Sequence, residues 1–388
     1  MNQKLRLYLF CISSGILMGI AWPFTGSLTP FIFVAWIPML LAESYVAGKM
    51  LRPRRLLLPA YCGFVVFNFI STWWIYYASF GGMAMAVLVN ALLMTSTFYL
   101  FHLIHRRLGD FAGYASFISL WMAFELGHYY WELSWPWLNM GNVFSIRTTW
   151  IQWYEYTGVG GGTFWILLVN LIMFMAYREY AQKKSFSKKV ILRISYGLLL
   201  IITPVFISHL IFRNYEEKKD PIDVVVVQPN IDPYADKFRG MNAFDQLAIF
   251  FRNAVSAGDS TAAFIVGPET VLPYYIIEND IDKTIALQAE DEEVYTNEFS
   301  YLRRIFSFMD STEMFLGMMS KRFYPDDDNA PETAVEDGNG TVSEFYNSTL
   351  YIEPALSYQI YHKKHLVLGV EKIPFASLIP ALNRLALS

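Results

Sequence analysis

Glu269 stands just past an apolar run, where a carboxylate can do chemistry. The segment Phe264-Ile-Val-Gly-Pro-Glu-Thr-Val-Leu-Pro273 reads as a buried strand that ends at Gly267, with Pro268 and Pro273 expected to stop regular structure on either side of the glutamate. In open α/β sheets, reactive groups sit just beyond the carboxyl ends of strands. There Glu269 could act as a general base; a loop carboxylate facing water is the plainer alternative. A second candidate is Tyr361-His-Lys-Lys-His-Leu-Val-Leu-Gly-Val-Glu-Lys-Ile-Pro374, where Lys363 and Glu371 lie beside Gly369 and Pro374 near another strand end. A Lys-Lys pair alone is ordinarily solvated surface. Set beside Glu269 from a neighbouring strand end, it supplies a cation to match the base, the combination that nucleophilic acyl chemistry uses. Further upstream, Glu125 and His128 lie three apart on one helical face inside an apolar span. At membrane depth such groups face a polar cavity or a partner; a satisfied structural pair is the alternative.

The elements around Glu269 and Lys363 must be those of a water-soluble unit. Asp223–Gln228 is a β-branched run, hence a buried strand ended by Pro229 and Asn230. Met241–Ala257 has helical spacing, with Phe244, Leu247, Phe250, Phe251 and Val255 on one side. Val294–Met309 is again helical, Met314–Met318 a third strand, Tyr324–Val342 a solvated loop, and Phe345–Ile352 with Tyr358–Tyr361 paired strands. The order β-α-β-α-β-β-β predicts an α/β sandwich. Arg213–Pro221 is polar and reads as a linker.

The 388 residues are 54% hydrophobic and only 16% charged, well under the roughly 25% of an ordinary soluble domain, and the charges crowd into the second half. That pattern predicts a membrane part first and a soluble part second. Candidate spans are Leu7–Trp22, Pro30–Val46, Leu57–Ala78, Met83–Ile104, Ala112–Tyr129, Thr163–Ala176 and Val190–Phe212, about seven helices. Lys49, Arg52, Arg54 and Arg55 follow the second, Arg106 and Arg107 the fourth, and a Lys/Arg cluster from Arg178 to Arg193 the sixth, whereas Pro23–Thr29 and Phe80–Gly82 carry no charge. By the positive-inside rule the N-terminus is cytoplasmic and everything after residue 213 lies on the outer side. Trp and Tyr clusters at Trp73–Tyr77 and Tyr129–Trp137 read as an interfacial belt, and Gly160-Gly161-Gly162 as a close helix contact or flexible entry. A net charge of -4 gives no reason to invoke nucleic acid. The two cysteines, Cys11 and Cys62, offer neither a disulfide framework nor zinc spacing, and Asp326–Asp328 does not match a calcium loop, so no metal or cofactor is expected.

At Val227-Gln-Pro-Asn-Ile231, Gly267-Pro-Glu-Thr270, Tyr346-Asn-Ser348 and Tyr361–Val367 with Glu371 and Pro374, the sequence resembles the nitrilase, or carbon–nitrogen hydrolase, superfamily. With Glu125, Pro136-Trp137-Leu138, Gly162-Thr-Phe-Trp165 and Asn170 in the first half, it is similar over nearly its whole length to the apolipoprotein N-acyltransferase family. The resemblance implies a polytopic α-helical membrane domain over 1–213, a linker over 214–222, and a nitrilase-like αββα sandwich over 223–388, incomplete at its C-terminus. It implies a Glu-Lys-Cys triad in which Glu269 is the general base, Lys363 stabilises the tetrahedral oxyanion and Glu371 is a supporting carboxylate. Phe238 falls roughly where the family has an aromatic on a mobile loop, although the spacing differs; Trp137 and Glu125 are the other substrate-binding candidates.

The implied reaction takes an acyl chain from a phospholipid, holds it as a thioester, and passes it to the N-terminal amine of a diacylglyceryl-cysteine lipoprotein at a bacterial inner membrane. The cysteine nucleophile is expected beyond Ser388, so the chain as written is expected to be inactive. Two other functions remain open at this level: a membrane-tethered amidase of the same superfamily, and a non-catalytic envelope scaffold.

Overall fold

A computed structural model describes residues 2–232, 236–237, 240–257, 262–282, 311–325, 330–331, 333–336, 340–368, 371 and 374, without the side chain of Tyr274. Phe238, Gly369, the Asp326–Asp328 run and the helix expected over Val294–Met309 lie outside these residues. The described residues divide into two compact units, one within Met1–Glu216 and Val367–Ser388 and the other within Glu217–Leu366.

The first unit is helical: α1 Gln3–Ala21, α2 Ile37–Gly48, α3 Leu57–Thr72, α4 Phe80–Gly127, α5 Tyr154–Lys183 and α6 Lys188–Asn214. These six helices, with the short 3-10 turns that extend α2 and α3, are long and apolar enough to cross a membrane. The chain is a multi-pass membrane protein. The fourth and fifth spans expected from the sequence are one helix of 48 residues, interrupted at Gly109 (φ 76°, ψ -173°). At about 1.5 Å per residue an unbroken α4 would run about 70 Å, over twice a hydrocarbon core of about 30 Å. Gly109 folds it back as a hairpin: the Phe101 and Phe117 rings meet at 5.2 Å and those of His105 and Tyr114 at 4.8 Å. This φ/ψ pair is essentially confined to glycine, and any L side chain there would cost about 1–3 kcal/mol. Thr163–Ala176 is likewise only the middle of α5, which begins at Tyr154 and turns at Gly158 (φ 63°). In the glycine run that follows, Gly162 packs against the Tyr154 ring.

Trp36, fully buried, sits at the centre of this unit, edge-on to Trp121 (4.4 Å), Phe117 (5.2 Å) and Phe64 (5.9 Å). Its amide donates to the Asn170 side chain of α5 (2.9 Å), which in turn donates to the Ile32 carbonyl (2.8 Å). The helices α1 and α3 touch through Gly15 and Gly63, where an added Cβ would fall 2.0 Å from Gly63 O and 2.4 Å from Cys11 O. Small residues permit such close backbone approach in apolar surroundings. A polar chain missed by the sequence reading also runs through the unit. Buried Glu43 of α2 meets His102 (2.6 Å) and His105 (2.9 Å) of α4, His105 reaches Asp110 (3.1 Å), and Arg178 of α5 holds Asp110 (2.6 Å).

Among its described residues the second unit has a mixed sheet of seven strands: β1 Val224–Val226, β2 Phe264–Val266, β3 Leu272–Ile277, β4 Glu313–Tyr324, β5 Val335–Glu336, β6 Val342–Ile352 and β7 Tyr358–His362. Strands β1, β2 and β4 run parallel, β3 also pairs β4 in parallel, and β6 pairs β4, β5 and β7 antiparallel. Helix α7, Ala243–Ala257, buries Leu247, Phe250, Phe251 and Ala254 in a core with Ile265, Met314, Leu316, Met318 and Leu350. Val255, expected on that face, is exposed.

Pro273 does not stop regular structure; it lies inside β3, at the register irregularity between Leu272 and Tyr275. Among the described residues β3 has β4 as its one strand neighbour, and a proline is tolerated where no inward amide is needed. The expected loop from Tyr324 to Val342 contains β5. The fold class expected from the sequence stands: apolar helices first, then an α/β unit of the nitrilase-like kind.

Candidate functional site

Strands β2 and β3 line the same edge of β4. β2 pairs with Glu313–Phe315 and β3 with Met318–Lys321, so together they form one strand interrupted by the turn Gly267–Val271. Glu269 sits on that turn, which lies directly over Gly317. A Cβ at Gly317 would come 2.4 Å from Pro268 O, 2.7 Å from Thr270 N and 2.8 Å from Glu269 Cα. Thr270 has φ 52°, a left-handed backbone uncommon for a β-branched residue. Lys237 clamps it, donating to Thr270 Oγ1 (2.5 Å) and to the Glu269 carbonyl (3.3 Å). Burial draws the Lys237 pKa below the usual lysine range, against the pull of the Glu269 charge. Strained backbone held by its surroundings is a mark of functional sites.

The Glu269 carboxylate is 60% exposed and Oε1 accepts from Lys363 Nζ at 3.0 Å and from the side-chain amide of Asn347. Lys363 follows β7, and its own amide donates to the Asn347 carbonyl (2.8 Å). The structure thus brings Glu269 and Lys363 together, with Asn347, the middle residue of the Tyr346-Asn-Ser348 motif, between them. A cavity of about 380 Å³ opens beside the turn, lined by Lys237, Gly240, Met241, Asn242, Ala243, Gln246 and Pro273. An accessible carboxylate touching an ammonium can move a proton and meet developing negative charge.

Glu371 accepts from the Val367 amide (2.6 Å) and its own amide donates to the Val367 carbonyl (2.9 Å). Phe238 is outside the described residues. In the helical unit, Trp137 is 59% exposed and packs edge-on to Trp74 (5.7 Å). Glu125 is buried, and its carboxylate accepts from Trp121 Nε1 (2.9 Å), the Met140 amide (2.8 Å) and Thr163 Oγ1 (2.5 Å). His128, its partner in the alternative reading, meets the Leu133 carbonyl (3.2 Å). Sequence reasoning assigned no role to Gly317, Lys237 or Asn347. Only the Tyr346-Asn-Ser348 motif carried a signal, because the roles of the other two depend on contacts distant in sequence.

Residues 14–172 match the family model of the apolipoprotein N-acyltransferase N-terminal domain. An apolipoprotein N-acyltransferase of Chlorobaculum tepidum is 26% identical over 387 aligned positions, covering 97% of this chain and 67% of the relative. One of Geobacter metallireducens is 30% identical over 290 positions, covering 70% of this chain and 52% of the relative. The chain therefore spans about two thirds of one of these relatives and half of the other. The resemblance to the apolipoprotein N-acyltransferases read from the motifs is borne out.

Two expected outcomes follow from the packing. Glu125→Ala strands three buried donors, at about 1–3 kcal/mol each for the unsatisfied group, and is expected to lower stability by at least about 3 kcal/mol. Thermal unfolding in detergent checks this, and an unchanged midpoint would contradict the packing role. Gly317→Ala forces the 267–271 turn off β4 and is expected to cost about 1–3 kcal/mol. Amide exchange at residues 269–271 should then rise about tenfold, while Gly48→Ala, facing open space, changes nothing.

Proposed function

We propose that the chain belongs to an enzyme that transfers an acyl chain from a phospholipid to the N-terminal amine of a diacylglyceryl-cysteine lipoprotein, with Glu269 as base and Lys363 as oxyanion partner. The observation that carries this reading is the 3.0 Å contact between Glu269 and Lys363 on a strained turn, in a chain bearing that family's N-terminal domain. A thiolate attacks the ester carbonyl; the C–S bond forms as the bond to the glycerol oxygen breaks. Glu269 takes the thiol proton and returns it to the departing oxygen, and Lys363 meets the charge on the tetrahedral carbonyl oxygen. The lipoprotein amine then attacks the thioester, Glu269 accepts the amine's proton, and the thiol leaves reprotonated.

Cys11 on α1 and Cys62 on α3 are not the thiol of this scheme. Glu371 supports the site as a second carboxylate, and Phe238 and Trp137 contact lipid. Glu125 acts from behind Trp137 by holding the Met140 segment. Binding partners are the phospholipid, the lipoprotein and the bilayer; nucleic acid has no part.

In this reading the protein sits in a bacterial inner membrane with its N-terminus in the cytoplasm and the sheet unit outside. Alternating Lys/Arg loops and the hairpin at Gly109 support seven crossings.

In the protein as encoded by its whole gene, Glu269→Gln or Lys363→Ala is expected to reduce acyl-enzyme formation by a factor of about a hundred or more with little change in melting temperature. Labelled phospholipid reports it, and near-normal turnover in either variant sinks the assignment. For orientation, a reporter fused after residue 220 should be active only outside the cytoplasm and one at Arg107 only inside; reversal of either rejects the topology.

A further inference from the structure

The Glu269–Lys363 pair is half open to solvent, with side chains 60% and 30% exposed. An exposed ion pair contributes about 0–1 kcal/mol and cannot hold a long flexible lysine in one place. Catalytic groups need to be held to within about 0.5 Å. The Lys363 amide is tied to the Asn347 carbonyl (2.8 Å), and the residue before it carries a further hold on the same backbone.

That hold lies on the reverse face of the sheet. Strand alternation turns His362 away from Lys363, and the β6–β7 register sets His362 opposite Ser348, on the face that carries the core. There the imidazole lies flat on the Tyr346 ring, with centroids 3.8 Å apart and planes 9° apart. Its Nε2 is 2.7 Å from Glu278 Oε1. The same oxygen accepts from Ser320 Oγ (2.6 Å), and Ser320 and Ser348 share a hydrogen bond of 2.8 Å. Ser320 and Ser348 are buried and the Glu278 side chain is nearly so. Glu278 follows directly on β3, the strand that leaves the Glu269 turn. The two glutamates bracketing β3 therefore grip consecutive residues, Lys363 from one face and His362 from the other.

We propose that Glu278 and His362 are positioning residues for Lys363: they lock the end of β7 from the reverse face and so set where the ammonium meets the reacting oxygen. The proposal rests on the role given to Lys363 above. Because Glu278, Ser320 and Ser348 anchor the lock from the enclosed side while His362 and Lys363 are each about a third exposed, loss of either partner frees the lysine before it unfolds the sheet.

The test is competitive acetylation of lysines by trace acetic anhydride in the whole, detergent-solubilised protein, with Lys321 and Lys364 as internal standards. His362→Ala and Glu278→Gln are expected to raise Lys363 labelling about threefold or more at constant Lys321 and Lys364. His362→Gln, whose amide can still donate to Glu278, should restore most of the protection. In the acyl-transfer assay the same two variants should lose about tenfold in kcat with KM little changed, as expected of misplacement rather than lost binding. The proposal is overturned if Lys363 labelling stays at the wild-type level, or if all three lysines rise together, which marks a merely structural brace. If Lys363→Ala keeps full acyl transfer, the functional reading fails while the labelling result still decides whether Glu278 and His362 position the lysine.

Discussion

The antiparallel ladder between β4 and β6 is the constraint on which the site depends. It pairs Met314 with Ile352 through to Tyr324 with Val342 without a break. One face of the ladder carries Met314, Leu316, Met318, Leu350 and Ile352 into the core; the other presents Gly317 to the Glu269 turn and Asn347 to its carboxylate. Because side chains alternate with period two, a slip of one residue would exchange the faces. The apolar cost of that exchange holds the register, and the register sets the chemistry. The site is thus stabilised largely by residues that never touch it.

Glu269 and Lys363 were legible in the sequence because polar residues after apolar runs mark strand ends, and the strands carrying them are rich in β-branched and aromatic side chains. What brings them together was not legible: the contact joins residues 94 apart in the chain and runs through a strand, β4, that neither belongs to. Pro273 misled because a missing amide normally ends a strand, and its tolerance depends on β3 pairing on one side among the described residues, a fact of topology. In the helical unit the logic that flagged Glu125 would equally have flagged Glu43, His102 and His105. Their spacing within single helices carried no hint that they meet across two. Glu125 was rightly read as needing a partner, but its partners are an indole, an amide and a hydroxyl, groups that hydropathy does not display.

Polar groups are placed differently in the two units. Among the helices, Asn170, Glu125 and Glu43 are enclosed, and each joins segments that apolar packing alone would leave free to slide, since lipid tails are as apolar as the helix surfaces. In the sheet unit apolar contact builds the core, Glu278 ties the end of β3 to β4 and β7, and the polar groups of the Glu269 turn are left partly open.

The break at Gly109 decides more than the shape of α4. Six uninterrupted crossings would return the chain to the side of the bilayer where it began; seven leave it on the opposite side. The parity of the count hangs on one residue able to adopt φ 76° without a clash. A hydropathy trace that fuses the two halves of α4 counts six segments where the break allows seven, and the two counts place the sheet unit in opposite compartments.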